Sequence, residues 1–117
     1  MDLNDQLQDA ETFKSKGDGF YQQKKYEQAF KVYEIARDLI KDYCSDYEEM
    51  LTNNNEELFR VNQLRLTVLL ALIESAFQLG WYEEAIFFAQ EGIDTNSNIA
   101  RLHHMLAKSI LGLSDTL

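Results

Sequence analysis

The sequence predicts an all-α protein, an antiparallel array of about five helices. Three observations carry this expectation. Apolar residues recur at steps of three and four along nearly the whole chain, the spacing that lines one face of a helix. The 117 residues contain no proline and five glycines, far less punctuation than strand-and-turn architectures use. The gaps between the periodic segments run to about four residues, which brings consecutive helices back alongside one another.

The first segment, 2–23, places Leu3, Leu7, Ala10, Phe13, Gly17 and Phe20 on one face. Asp2 and Asp5 fall in its first turn, where carboxylates favour the helix dipole. Lys24 and Lys25 make a polar corner, with cations suited to a helix C-terminus. The second segment has the cleanest period: Ala29, Tyr33, Ala36, Ile40, Tyr43, Tyr47 and Met50 predict one long helix from Tyr26 to Leu51. The Asn-rich run 52–55 ends it, because Asn favours turns. A third helix is expected over 56–79. Its second half, 66–73, is apolar on nearly every side and therefore central, and Gly80 is suited to closing it. A fourth helix over 82–93 turns Ala85, Ile86, Phe88 or Ala89, and Ile93 inward. Ser97 stands as N-cap of a fifth over 98–112, which buries Leu102, Met105 or Leu106, and Ile110. The tail 113–117 is expected to fray.

The chain also repeats itself. The run from Lys25 to Ala29 aligns with the run from Trp81 to Ala85, with Tyr26 over Tyr82, Glu27 over Glu83 and Ala29 over Ala85. The same offset sets Phe13 over Leu69 and Phe20 over Ala76. A further shift of about 34, the period of the tetratricopeptide repeat (TPR), carries Ile73 to Ala107 and Ala76 to Ile110. The run 13–36 resembles a TPR unit: Phe13 at the large position, Gly17 at the small position where two helices cross, then Phe20, Tyr26, Ala29, Tyr33 and Ala36. The second unit keeps Gly80, Tyr82 and Ala85 but has Ile73 where a small residue is usual, and both units lack the proline that often ends the motif. The resemblance implies a right-handed α-solenoid forming one domain over 1–117. It would comprise a repeat unit at 10–43, elongated helices over 44–66, a second unit at 66–97 and a capping helix at 98–112.

The formal charge of −9 opposes nucleic acid and anionic lipid at long range, so neither is an expected partner. The longest apolar stretch is far shorter than the ~20 residues a membrane helix needs. The acidic N-terminus resembles neither a secretion signal nor a transit peptide. The single cysteine, Cys44, excludes an internal disulfide, and a cytoplasmic setting, with the nucleus as alternative, follows as the expectation.

TPR arrays bind partners along the first helix of each unit. By motif position the groove would show Glu11, Lys14, Asp18, Tyr21 and Gln22, then Leu70, Ala71, Glu74, Phe77 and Gln78, then Arg101, His104, Met105 and Lys108. Leu70, Ala71 and Phe77 could equally be core covered by the elongated helices. The carboxylate clamp by which some TPR domains hold the tail of a heat-shock chaperone is matched only by Lys14 and Arg101. Asp18, Ala71 and Met105 occupy its other three positions. A second surface is acidic: Asp42, Asp46, Glu48, Glu49, Glu56 and Glu57, with no Lys or Arg between 42 and 59. It reads either as a solvated helix end or as a docking patch for a basic partner.

No cofactor, metal or enzymatic activity is expected. His103 and His104 are adjacent and point to different helix faces, Cys44 has no local base, and Gly17-Asp18-Gly19 lies within a helix without the rest of a phosphate loop. The leading expectation is an adaptor that captures a peptide or helix of another protein. A co-chaperone that binds a chaperone tail and a self-assembling scaffold, such as a homodimer joined through its apolar C-terminal helix, are the alternatives.

Overall fold

The computed structural model describes residues 3–95 and 98–116, with the side chains of residues 3–5 left aside. Within them the chain is all-helical: α1 Leu3–Gln22, α2 Tyr26–Asp46, α3 Glu48–Thr52, α4 Asn55–Leu79, α5 Tyr82–Thr95 and α6 Ala100–Asp115. The expected Ser97 cap and the Asp2 dipole contact lie outside the described residues.

Helices pack mainly on their chain neighbours, α1 on α2, α4 on α5 and α5 on α6, while α2 packs on α4 across the short α3. The slab they form measures 46 × 30 × 17 Å, and its thinnest dimension accommodates two layers of helix at the usual separation of about 8–10 Å. The core runs through both halves: Leu7, Ala10, Tyr33, Ile40 and Tyr43 in one, Leu72, Ile73, Ala85, Ala89 and Leu102 in the other.

The offset that sets Lys25 over Trp81 is written into the backbone. Lys25 N–H donates to the Phe20 carbonyl at 2.9 Å, and Trp81 N–H to the Ala76 carbonyl at 2.8 Å. One turn later Ala29 N–H donates to Lys25, and Ala85 N–H to Trp81, at 3.0 and 3.1 Å. Both turns pass through a left-handed residue, Lys24 at φ 61° and Gly80 at φ 74°. This is the Schellman type of helix ending, in which a residue of positive φ returns orphan amides to the last carbonyls.

Gly17 lies directly beneath the Tyr33 ring. A Cβ there would come within 2.6 Å of Tyr33 Cδ1, so only glycine lets α1 and α2 approach this closely. Near the other end, a Cβ on Gly112 would lie 2.7 Å from Tyr82 Cδ1.

Four expectations are corrected. The long second helix is kinked at Tyr47 (φ −120°), which ends α2 and precedes α3. The kink lets α3 pack on α4 and buries Leu51 in the core. In α6, Ile110 faces solvent and Ser109 is fully buried instead, its hydroxyl donating to the Met105 carbonyl at 2.7 Å. The expected shift of α4 onto α6 is one position too long for the buried residues: Leu69 and Ala76 correspond in burial to Leu102 and Ser109, whereas Ala107 and Ile110 are both exposed. Finally, α5 runs on to Thr95 and α6 to Asp115, past the turn and the frayed tail expected there.

The run 52–55 does separate two helices. Asn54 caps α4 by accepting from the Glu57 amide at 3.1 Å, while Thr52 and Asn53 donate back to the Glu48 and Glu49 carbonyls of α3.

Candidate functional site

Three helices well separated in sequence, α1, α4 and α6, contribute side chains to two adjoining hollows. The larger, about 360 Å³, receives Tyr21 from α1 and Glu74, Phe77 and Gln78 from α4, with the buried Ile73 behind them. Arg101, His104, Met105 and Lys108 line it from α6, beside the buried Ser109. The second, about 320 Å³, is lined by Lys14 and Asp18 of α1, Tyr33 of α2, and Thr67, Leu70 and Ala71 of α4. Tyr21, Glu74 and Arg101 border both, so the two hollows form one continuous depression.

Leu70, Ala71 and Phe77 are half-buried on this depression rather than sealed in the core. No residue of 44–66 lines either hollow, so the elongated segment leaves them open. Two groove positions are corrected. Glu11 faces away and pairs with Arg60 at 3.5 Å, and Gln22, exposed at the end of α1, lines neither hollow. Thr67 and Tyr33 also line the depression, which their motif positions do not indicate. The sequence identifies Tyr33 only as part of the repeat pattern, and nothing in its neighbours shows that its phenol reaches the next surface.

The charges of the depression are largely matched within the chain. Asp18 accepts the Tyr33 hydroxyl at 2.5 Å and holds the Lys14 ammonium at 2.7 Å. Its side chain is therefore committed to bracing α1 against α2. Arg101 forms a close ion pair with Glu74, joining α6 to α4. Lys108 lies over the Phe77 ring, 4.4 Å from its centre, and is in no ion pair among the described residues.

Burial, and then the phenol's bond to the Asp18 carboxylate, hold Tyr33 in its neutral form far above its ordinary range. The Tyr21 phenol is also raised, by burial first and then by the Glu74 charge, with a hydrogen bond to Gln78 acting the other way. Both phenols therefore stay neutral hydrogen-bonding groups at physiological pH. What the depression offers a ligand is aromatic and thioether surface from Tyr21, Phe77 and Met105, the imidazole of His104, and the cation of Lys108. Its internal ion pairs are ones a charged ligand would have to compete with.

The acidic surface is less uniform than its sequence. Glu48 and Glu49 stand in the first turn of α3 and Glu56 and Glu57 in that of α4, where carboxylates meet the positive end of the helix dipole. Glu57 is engaged from two sides, accepting from Tyr43 at 3.2 Å and pairing with Arg60 at 3.4 Å. It drops out of a docking patch, leaving Asp42, Asp46, Glu48, Glu49 and Glu56 exposed. Cys44 is half-buried and accepts from Arg65 at 2.7 Å; burial pushes its thiol up, partly offset by the Arg65 charge.

Among the described residues, no group of three or more His, Cys, Asp or Glu is placed to hold a metal ion, and no helix is long and apolar enough to cross a membrane. No protein-family model matches the chain, and comparison with curated proteins gives no match either.

Proposed function

We propose that this chain is a TPR-like helical array that binds a peptide or helix of a partner protein along α1, α4 and α6. The observation that carries the reading is the continuous depression these three helices form, with Tyr21, Glu74 and Arg101 shared between its two parts. The recurrence of one turn geometry, at Lys25 and again at Trp81, supports the repeat character. The surface suits an amphipathic segment: apolar residues against Phe77 and Met105, and a carboxylate toward Lys108.

The chaperone-tail alternative draws less support, because both cations that match the clamp already hold carboxylates, Lys14 with Asp18 and Arg101 with Glu74. Fluorescence anisotropy with a peptide ending in Glu-Glu-Val-Asp separates the two readings. Micromolar binding lost on Lys14→Ala would favour the tail, and no binding would remove it.

Self-assembly has one observation in its favour, the exposure of Ile110 and Leu111 on α6. Light scattering tests it, since a monomer of 13.6 kDa at high concentration would exclude it.

The groove reading is tested by panning a displayed random-peptide library against the chain and mapping the winners by NMR. Enriched peptides should move the amide resonances of Tyr21, Phe77 and Met105. Failure to enrich any peptide, or winners that move only other surfaces, would overturn it.

A further inference from the structure

A second surface lies on α2 and α5, sharing no residue with the depression. Phe30 of α2, Trp81 just before α5, and Phe87 and Phe88 in the middle of α5 enclose an open hollow of about 520 Å³. The rings meet edge to face, Phe30 with Trp81 at 5.2 Å, Phe30 with Phe88 at 5.9 Å and Phe87 with Phe88 at 5.2 Å. Phe30 and Phe88 are buried and form the floor, whereas Phe87 is 59% exposed. A packed aromatic cluster with one ring this open is more than a scattered surface hydrophobe.

The rim carries three carboxylates, Glu34, Glu83 and Glu84, and no cation lines the hollow. None of the three is in an ion pair among the described residues. The nearby cations of α2 are engaged elsewhere, Lys31 with Glu27, and Arg37 with Asp38 and Glu91; α5 contains no Lys or Arg. Arg37 already shows what this chemistry accepts. Its guanidinium lies over the Phe88 ring at 5.6 Å and is paired with the Glu91 carboxylate beside it.

We infer that this hollow is a docking surface for a basic segment of a partner protein, one presenting a Lys or Arg beside an apolar residue. The apolar group would cover Phe87 and Trp81, and the cation would sit between the aromatic faces and the Glu34, Glu83 and Glu84 carboxylates. The chain's charge of −9 draws such a segment in, with a rate that falls as salt rises. The inference is independent of the groove reading.

Trp81 is the only tryptophan, so its emission reports this hollow directly. The probe is a synthetic amphipathic Leu/Lys peptide, compared with a Leu/Glu version and with a Gly/Lys peptide of equal charge. The Leu/Lys peptide should shift Trp81 emission saturably, the Gly/Lys peptide should bind about ten-fold more weakly, and the Leu/Glu peptide should do nothing. Phe87→Ser and, separately, Glu34→Lys should each weaken binding about ten-fold, while the double reversal Asp46→Lys/Glu49→Lys leaves it within about two-fold. Phe87 and Glu34 are both exposed, and far-UV circular dichroism checks that each variant keeps its helix content.

Three results would overturn the inference: no binding, binding that leaves Trp81 emission unmoved, or equal loss on reversal at Asp46 and Glu49. A shift that grows with protein concentration alone and vanishes in Phe87→Ser would instead assign the surface to a second copy of the chain.

Discussion

Lys24 and Gly80 occupy the same left-handed position in two turns that share one pattern of hydrogen bonds, at φ 61° and 74°. Glycine adopts this conformation freely, whereas an L side chain strains against its own backbone there. Lys24→Gly should therefore raise stability by about 0.5–1 kcal/mol, after allowance for glycine's greater freedom in the unfolded chain. Gly80→Ala should lower it by about 1 kcal/mol. A Cβ at Gly80 meets nothing within 4 Å, so that cost is purely conformational. Urea unfolding of the two variants checks the opposite signs.

Two glycines of α1 should also respond in opposite directions. Gly17→Ala drives a methyl into the Tyr33 ring and should cost about 1–3 kcal/mol by overpacking. At Gly19 a Cβ meets nothing within 4 Å and the backbone φ is not positive, so Gly19→Ala should stabilise by about 0.5–1 kcal/mol through helix propensity. Thermal unfolding separates them, and equal effects would mean that α1 and α2 are not held at this distance.

Tyr33 makes stability pH-dependent on the alkaline side. Its folded pKa lies above the unfolded value of about 10. The contribution is therefore complete below about pH 10 and is lost as pH rises further, because the unfolded chain releases the proton first. Urea midpoints measured between about pH 9 and pH 11.5 should fall above pH 10, with this one group contributing up to about 1.4 kcal/mol per pH unit. Tyr33→Phe should flatten that fall, with Tyr21 and Tyr43 supplying the remainder, since both phenols are raised as well. An unchanged slope would show that neither burial nor the Asp18 carboxylate raises this phenol in solution.

The ion pairs divide by exposure. Arg37 is 15% exposed, pairs with Glu91 of a distant helix and lies over Phe88, so Arg37→Ala should cost about 1–2 kcal/mol. Arg101 is 59% exposed in its pair with Glu74, and Arg101→Ala should cost under about 1 kcal/mol. A double-mutant cycle for each pair supplies the comparison.

The helical segments were legible because their apolar stripes set the period, and Gly17 and Gly80 were legible because glycine marks close approach or a left-handed turn. The kink at Tyr47 was hidden, since the stripe continues through Tyr47 and Met50 and only packing against α4 decides where the chain bends. Ser109 and Ile110 were exchanged because hydropathy ranks isoleucine as core, whereas the serine satisfies its own hydroxyl on the Met105 carbonyl and fits where α6 packs closely. The positions named on α4 and α6 line the depression together because residues three and four apart share a helix face. Their pairings did not, because Tyr33 with Asp18 and Arg101 with Glu74 depend on how separate helices are docked.

The proposed partner-binding surface is the α1–α4–α6 depression. The most direct measurement is the affinity of a display-selected peptide for the wild type, for His104→Glu/Lys108→Glu and for Glu84→Lys. All three altered side chains are exposed, so the fold is left intact. The α6 double variant should lose about ten-fold or more in affinity and Glu84→Lys none. Full affinity in the α6 variant, with loss confined to Glu84→Lys, would contradict it.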